Sequence, residues 1–190
     1  MNEIVCVTVG DKSVGLKSLL ITYTTKVYPA DYVPSVFDSY TQNIVLDGEF
    51  INLSLNTVAC QDDYKKFRQL TYQKANVFLL GFSIGHPGSL ENLQKVWVPE
   101  IRETCPSTPI VIVGLQKDLR NDPYYIKALE QKHLKSISYS DGVETAKRLG
   151  AASYIECSAL KQEGVKEVFE DVIKAFKADQ SRKNKCIRVT

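Results

Sequence analysis

No apolar run in these 190 residues approaches the roughly 20 that a membrane-spanning helix needs. The amino terminus, Met1-Asn2-Glu3, lacks the basic region and cleavage site of a secretory leader, so a cytoplasmic chain is expected. Cysteine is scarce and odd in number: Cys6, Cys60, Cys105, Cys157 and Cys186 are scattered without metal-like spacing. That excludes a disulfide framework and a zinc cluster as organising devices, and points to reduced thiols. The two histidines, His86 and His133, stand apart from any nucleophile or metal-binding partner and are expected at the surface. A net charge of +2 is too small to imply nucleic-acid binding. There is no internal repeat and no low-complexity segment.

What is present fits one globular domain. Apolar residues make up 44% and charged residues 24% of the chain, an ordinary balance. Four short runs, Ile4 to Val9, Val77 to Phe82, Ile110 to Val113 and Tyr154 to Cys157, are β-branched or aromatic and apolar on both faces. Buried parallel strands read this way. Ile44 to Leu46 and Phe50 to Leu55 flank Asp47-Gly48, a strong hairpin signal. Val165, Val168, Phe169, Val172, Ile173 and Phe176 form one apolar helical stripe suited to pack on a sheet. Strands and helices alternate, which predicts an α/β fold with a mostly parallel sheet, helices on both faces and one antiparallel hairpin pair. Residues 121–138 are polar, contain Pro123 and break the alternation, so they read as an inserted surface helix or loop.

The first strand runs into Gly10-Asp11-Lys12-Ser13-Val14-Gly15-Leu16-Lys17-Ser18. A phosphate loop reads G-x-x-x-x-G-K-[ST] in this context, its glycines letting backbone N–H groups close around phosphate. The glycine pair is here at the right spacing. Leu16 stands in the lysine position, and Lys17 in the position whose hydroxyl ligates magnesium. Alone, the motif is weak and is matched equally by a glycine-containing turn.

Further motifs follow in order: Thr24-Thr25, Tyr32 to Tyr40, Asp47-Gly48, Gln61 to Tyr64, Cys105-Pro106 and Glu156-Cys157-Ser158-Ala159-Leu160. With these, residues 3–178 resemble the Rho/Rac branch of small GTPases, and the insert at 121–138 sits where Rho proteins carry an extra helix. The resemblance implies a six-stranded Ras-type G domain over 1–178 and a basic, disordered tail over 179–190. It implies binding of GTP or GDP with magnesium. Nucleotide contacts then fall on Gly10, Lys12, Ser13, Val14, Gly15, Lys17, Ser18, Tyr28, Ser35, Cys60, Gln116, Asp118, Ser158 and Ala159. Ser35 becomes the metal ligand and Gln61 the residue that orients water. Tyr32, Val36, Phe37, Asp38 and Tyr40 become a surface for Rho-type effectors or regulators in cytoskeletal signalling, which Tyr64, Phe67 and Leu70 would extend. A monomer is expected.

Several positions depart from that pattern. Leu16 places no cation on the phosphates, and the Lys17 ammonium has donors only, so it cannot ligate magnesium. Thr57 replaces a carboxylate that holds the metal. Cys60 replaces a glycine whose N–H meets the terminal phosphate and whose freedom lets the segment rearrange. Leu115-Gln116-Lys117-Asp118 keeps the base-reading aspartate of [NT]-K-x-D but not its lysine. Lys12 stands where a glycine usually leaves room for water. Losing three charge-assisted contacts would cost roughly 4.5–9 kcal/mol, or about 10³ to 10⁶ in affinity, a bracket loosened by non-additivity. Weakened nucleotide binding and poor hydrolysis are therefore expected, with a nucleotide-independent interaction module as the alternative.

In the tail, Arg182, Lys183, Lys185 and Arg188 resemble a Rho polybasic segment. Cys186 is fifth from the end, one position off the prenylation motif, so prenylation is not expected. The basic cluster would give weak, transient attraction to an anionic inner membrane surface, about 1 kcal/mol per charge.

Overall fold

The computed structural model describes residues 2–31 and 37–187. In chain order the elements are β1 (Asn2–Gly10), α1 (Leu16–Thr25), β2 (Phe37–Leu46), β3 (Glu49–Val58), α2 (Lys65–Tyr72) and β4 (Val77–Ser83). Then come α3 (Pro87–Asn92), α4 (Val98–Thr104), β5 (Ile110–Leu115), α5 (Pro123–Glu130), α6 (Tyr139–Arg148), β6 (Ser153–Glu156) and α7 (Val165–Ile187). One six-stranded sheet has the order β2-β3-β1-β4-β5-β6. All neighbouring pairs are parallel except β2 with β3. This is the expected Ras-type α/β architecture.

The alternation of side chains along each strand divides the core between two faces. Ile4 and Cys6 of β1, Leu79 of β4 and Val111 and Val113 of β5 join α1 and the Phe169 stripe of α7 on one side. Val7, Val9, Phe78, Leu80 and Ile112 point the other way, onto Tyr72, Trp97 and Ile101. Tyr23 of α1 stacks on Phe169 of α7 with centroids 3.8 Å apart, tying the two helices on the first face. The β2–β3 turn has Asp47 and Gly48 both at positive φ, 53° and 78°. Such a turn matches the twist of two joined strands, which explains the hairpin reading of Asp-Gly.

Two elements differ from expectation. Between α3 and α4 the chain makes a π turn over Leu93–Trp97, and Val98 donates to the Leu93 carbonyl five residues back. Pro99 follows, with no N–H to donate, so ordinary helical bonding is interrupted there. The carboxy-terminal segment is corrected more fully: α7 continues through Ile187 where a disordered tail was expected from 179. Asp179 supplies the reason, since its carboxylate pairs with Lys183 at 2.7 Å and Arg182 at 3.8 Å, one turn on. The insert forms α5, capped by Asp122, whose side chain accepts from the Tyr124 and Tyr125 N–H groups.

Candidate functional site

The loop between β1 and α1 closes over the sheet edge where β1 and β4 end. Gly15 caps α1 at φ 103°, a conformation that a side chain would strain, and Ser13 is also left-handed at 64°. The loop is tied down from the far side by Asp11, which accepts from Trp97 Nε1 and Asn92 Nδ2, each at 2.7 Å. Asn92 ends α3 and Trp97 ends the π turn that follows, so the two donors bracket that turn, a link that no sequence motif marked.

Beneath the loop, Leu16 packs against the first core face rather than upward. A Cβ placed on Gly81 would lie 2.7 Å from Leu16 Cδ2 and 2.7 Å from Leu115 Cδ1. The two leucines therefore converge on the same bare backbone. They form an apolar plug under the loop.

Above the loop lies a cavity of about 140 Å³ lined by Lys12, Lys17, Asp38, Thr57, Cys60 and Gln61 along with the loop backbone. Lys17 Nζ stands 3.1 Å from Asp38 Oδ2, with both side chains half-buried. The pairing follows from strand register: Asp38 lies directly opposite Thr57 across the antiparallel β2–β3 pair. A carboxylate thus stands beside Thr57 on the neighbouring strand, and it meets an ammonium.

Magnesium does not fit the described residues of this cavity. Lys17 offers donors only. The two cavity carboxylates are engaged, Asp38 with Lys17 and Asp11 with Trp97 and Asn92. Among the described residues no group of three His, Cys, Asp or Glu could hold a metal ion.

A second cavity of about 190 Å³ adjoins the first, lined by Gly15, Ser18, Tyr28, Asp118, Leu119 and Ala159 among others. Asp118 is aimed by Ser158, whose hydroxyl donates to Asp118 Oδ1 at 2.5 Å. Gln116 is held at φ 57°. Its Oε1 accepts from Ser83, and its Nε2 reaches the Ser13 carbonyl at 3.5 Å, bridging the base side to the phosphate loop. Cys157, beside them, is fully buried. Burial first, then the charges of Asp118 and Glu156, pushes its thiol up to about 12, so it packs and does not react.

Gln61 is exposed at the rim of the first cavity, and its carbonyl accepts from Arg68 at 2.6 Å. Arg68 also holds the Ala59 carbonyl at 3.0 Å and forms two bonds of 2.9 Å to the Glu100 carboxylate. Tyr72 donates to the same carboxylate at 2.8 Å. This buried clamp fixes the peptides on either side of Cys60, and the sequence reading missed it.

Phe37 and Phe67 meet edge to face at 6.0 Å, each about two-fifths exposed, and Leu70 beside them is 62% exposed. They form an apolar face across the starts of β2 and α2. Tyr40 instead leans on the core, and Asp38 is turned toward Lys17, so both belong to that face less than expected. Tyr32, Ser35 and Val36 lie outside the described residues. Four cysteines, Cys6, Cys60, Cys105 and Cys157, are free thiols. No helix among the described residues is long and apolar enough to cross a membrane.

A phosphate-sized cavity over a glycine loop, continuous with an aspartate-bearing slot at the sheet edge, is the arrangement of a nucleotide site. In agreement, the family model for the Ras family matches residues 5–178.

Proposed function

This chain belongs to the Ras family of small GTPases, and from that premise we propose a Rho/Rac-type signalling protein that acts through its switch face. Members of the family generally bind GTP or GDP with magnesium and engage effectors and regulators. In this chain guanine-nucleotide binding is weakened and GTP hydrolysis is poor or absent. The observation that carries the reading is the contrast within one site. Asp118 stays aimed by Ser158 beside Tyr28 and Ala159, while Leu16 is turned under the loop and brings no cation to the phosphates from its own position.

Poor hydrolysis follows from the same geometry. Lys12 is exposed at the rim where attacking water must approach, and Gln61 beside it works without a metal-polarised phosphate. The apolar face of Phe37, Phe67 and Leu70 is the docking surface for Rho-type effectors, and by resemblance the setting is cytoskeletal. A cytoplasmic monomer that touches the inner membrane surface transiently through its basic end completes the proposal.

The test is the nucleotide content of gently purified protein, followed by fluorescent GDP and GTP titration and a single-turnover hydrolysis assay. Measurable binding, about 10³ to 10⁶ weaker than for an intact loop, with negligible turnover, is the expected result. Fast turnover would overturn it. A folded protein that binds neither nucleotide would favour the second reading, an interaction module that works without nucleotide. The Lys17–Asp38 pair supports that alternative, because it neutralises the cavity from within.

A further inference from the structure

We propose that Lys17 is the resident cation of the phosphate cavity, so that a polyphosphate binds there without any divalent metal. The inference deepens the reading of a weakened nucleotide site and rests on it. The disagreement between the residues and a metal is its starting point. Where magnesium would need a carboxylate ligand, the described lining holds an ammonium and two carboxylates already engaged, Asp38 by that ammonium at 3.1 Å and Asp11 by Trp97 and Asn92. A divalent ion beside Lys17 would be repelled by it.

The ammonium is well placed to meet a phosphate oxygen. It is held on the first turn of a ten-residue helix whose N-terminal N–H groups face the same cavity. Its three donors can serve Asp38 and a phosphate oxygen together. Burial of about four-fifths of the Lys17 side chain keeps this charge from being screened as a surface lysine would be. Lys12, by contrast, is exposed at the rim and adds only a loosely held charge. Phosphate and Asp38 therefore share one cation, and each weakens the other's hold. Asp38 adjoins Phe37 on β2, so occupancy of the cavity is coupled to the start of the apolar face, and by linkage the coupling runs both ways.

The experiment titrates the full chain with inorganic pyrophosphate and with GDP by calorimetry, each in excess EDTA and in magnesium. The wild type is compared with Lys17→Gln, Asp38→Asn and Lys12→Gln, each checked for folding by circular dichroism. Both ligands should bind the wild type within about twofold with and without metal. Lys17→Gln should weaken both by about 10- to 100-fold, the worth of one charge-assisted bond, while Asp38→Asn strengthens both several-fold. Lys12→Gln should do much less.

Binding that requires magnesium would overturn the inference and leave the functional reading standing. So would metal-free binding that Lys17→Gln leaves intact. If Lys17→Gln fails to fold, the metal comparison on the wild type and the sign of the Asp38→Asn effect decide instead. Failure of the wild type to bind either ligand would overturn both readings together.

Discussion

The two halves of the site lie side by side and have been treated differently. On the base side the polar machinery persists: Asp118 is aimed by Ser158, and Gln116 bridges Ser83 to the phosphate loop. On the glycine-loop side the contacts are of another kind. Leu16 and Leu115 fill one space on Gly81, and Lys17 meets Asp38 opposite Thr57. That half is held by apolar packing beneath the loop and an ion pair above it.

The largest effect should come from removing what holds the phosphate half rigid. Arg68 and Glu100 are 1% and 7% exposed, and the base half makes no use of them. Glu100→Ala would leave a buried guanidinium without its counter-charge and should destabilise the fold by about 3–5 kcal/mol, read from denaturant midpoints. A loss below about 1 kcal/mol would mean that the carbonyls of Ala59 and Gln61 hold Arg68 unaided.

The same carboxylate gives a pH signature. Burial alone would raise the Glu100 value, but hydrogen bonds from Arg68 and Tyr72 and the Arg68 charge outweigh it and hold it below the usual carboxylate range. Its contribution is thus complete above the unfolded value of about 4.3. It is lost as pH falls through the depressed folded value. Stability of the wild type should drop through that acid window more steeply than that of Glu100→Ala.

Next in size is a change confined to the base half. Asp118→Ala should weaken GDP by about 10- to 100-fold and leave pyrophosphate binding unchanged, since the carboxylate faces the other cavity. Equal losses of both ligands would mean that the halves act as one unit.

Smaller still is the coupling within the apolar plug. A double-mutant cycle of Leu16→Ala and Leu115→Ala should give an interaction of about 0.5–3 kcal/mol, as residues sharing one space do. Additive losses would deny that the two leucines are matched.

The strands and the hairpin were legible to within a few residues because short β-branched runs bounded by turns leave few alternatives, as in Ile110–Leu115. That Asp118 and Ser158-Ala159 come together was legible because each sits in a compact sequence pattern. What escaped depends on register and distance. Asp38 looked like an effector residue, and its place opposite Thr57 emerges only from the β2–β3 pairing. Arg68 and Glu100 are 32 positions apart, and Trp97 reaches Asp11 across 86. The helical end of α7 was missed because basic composition reads as solvated chain until the Asp179 pairs are seen. Leu16 and Leu115 were visible one by one; that they share one space required both to be placed on Gly81.

The smallest effect on stability should come from the face that both halves serve. Phe37 belongs to β2, whose next residue is Asp38, and Phe67 belongs to α2, whose next residue is the clamped Arg68. The aromatic contact therefore spans the two segments that border the phosphate cavity. Both rings are about two-fifths exposed, so Phe67→Ala should cost only about 0.5–1.5 kcal/mol of stability. Nucleotide affinity should stay within about threefold of wild type. Binding of a Rho-type effector domain, measured by calorimetry, should fall by about 30-fold or more, as truncation of an aromatic anchor does at an interface. A large loss of stability with unchanged effector binding would make the pair a packing contact and move the docking face elsewhere.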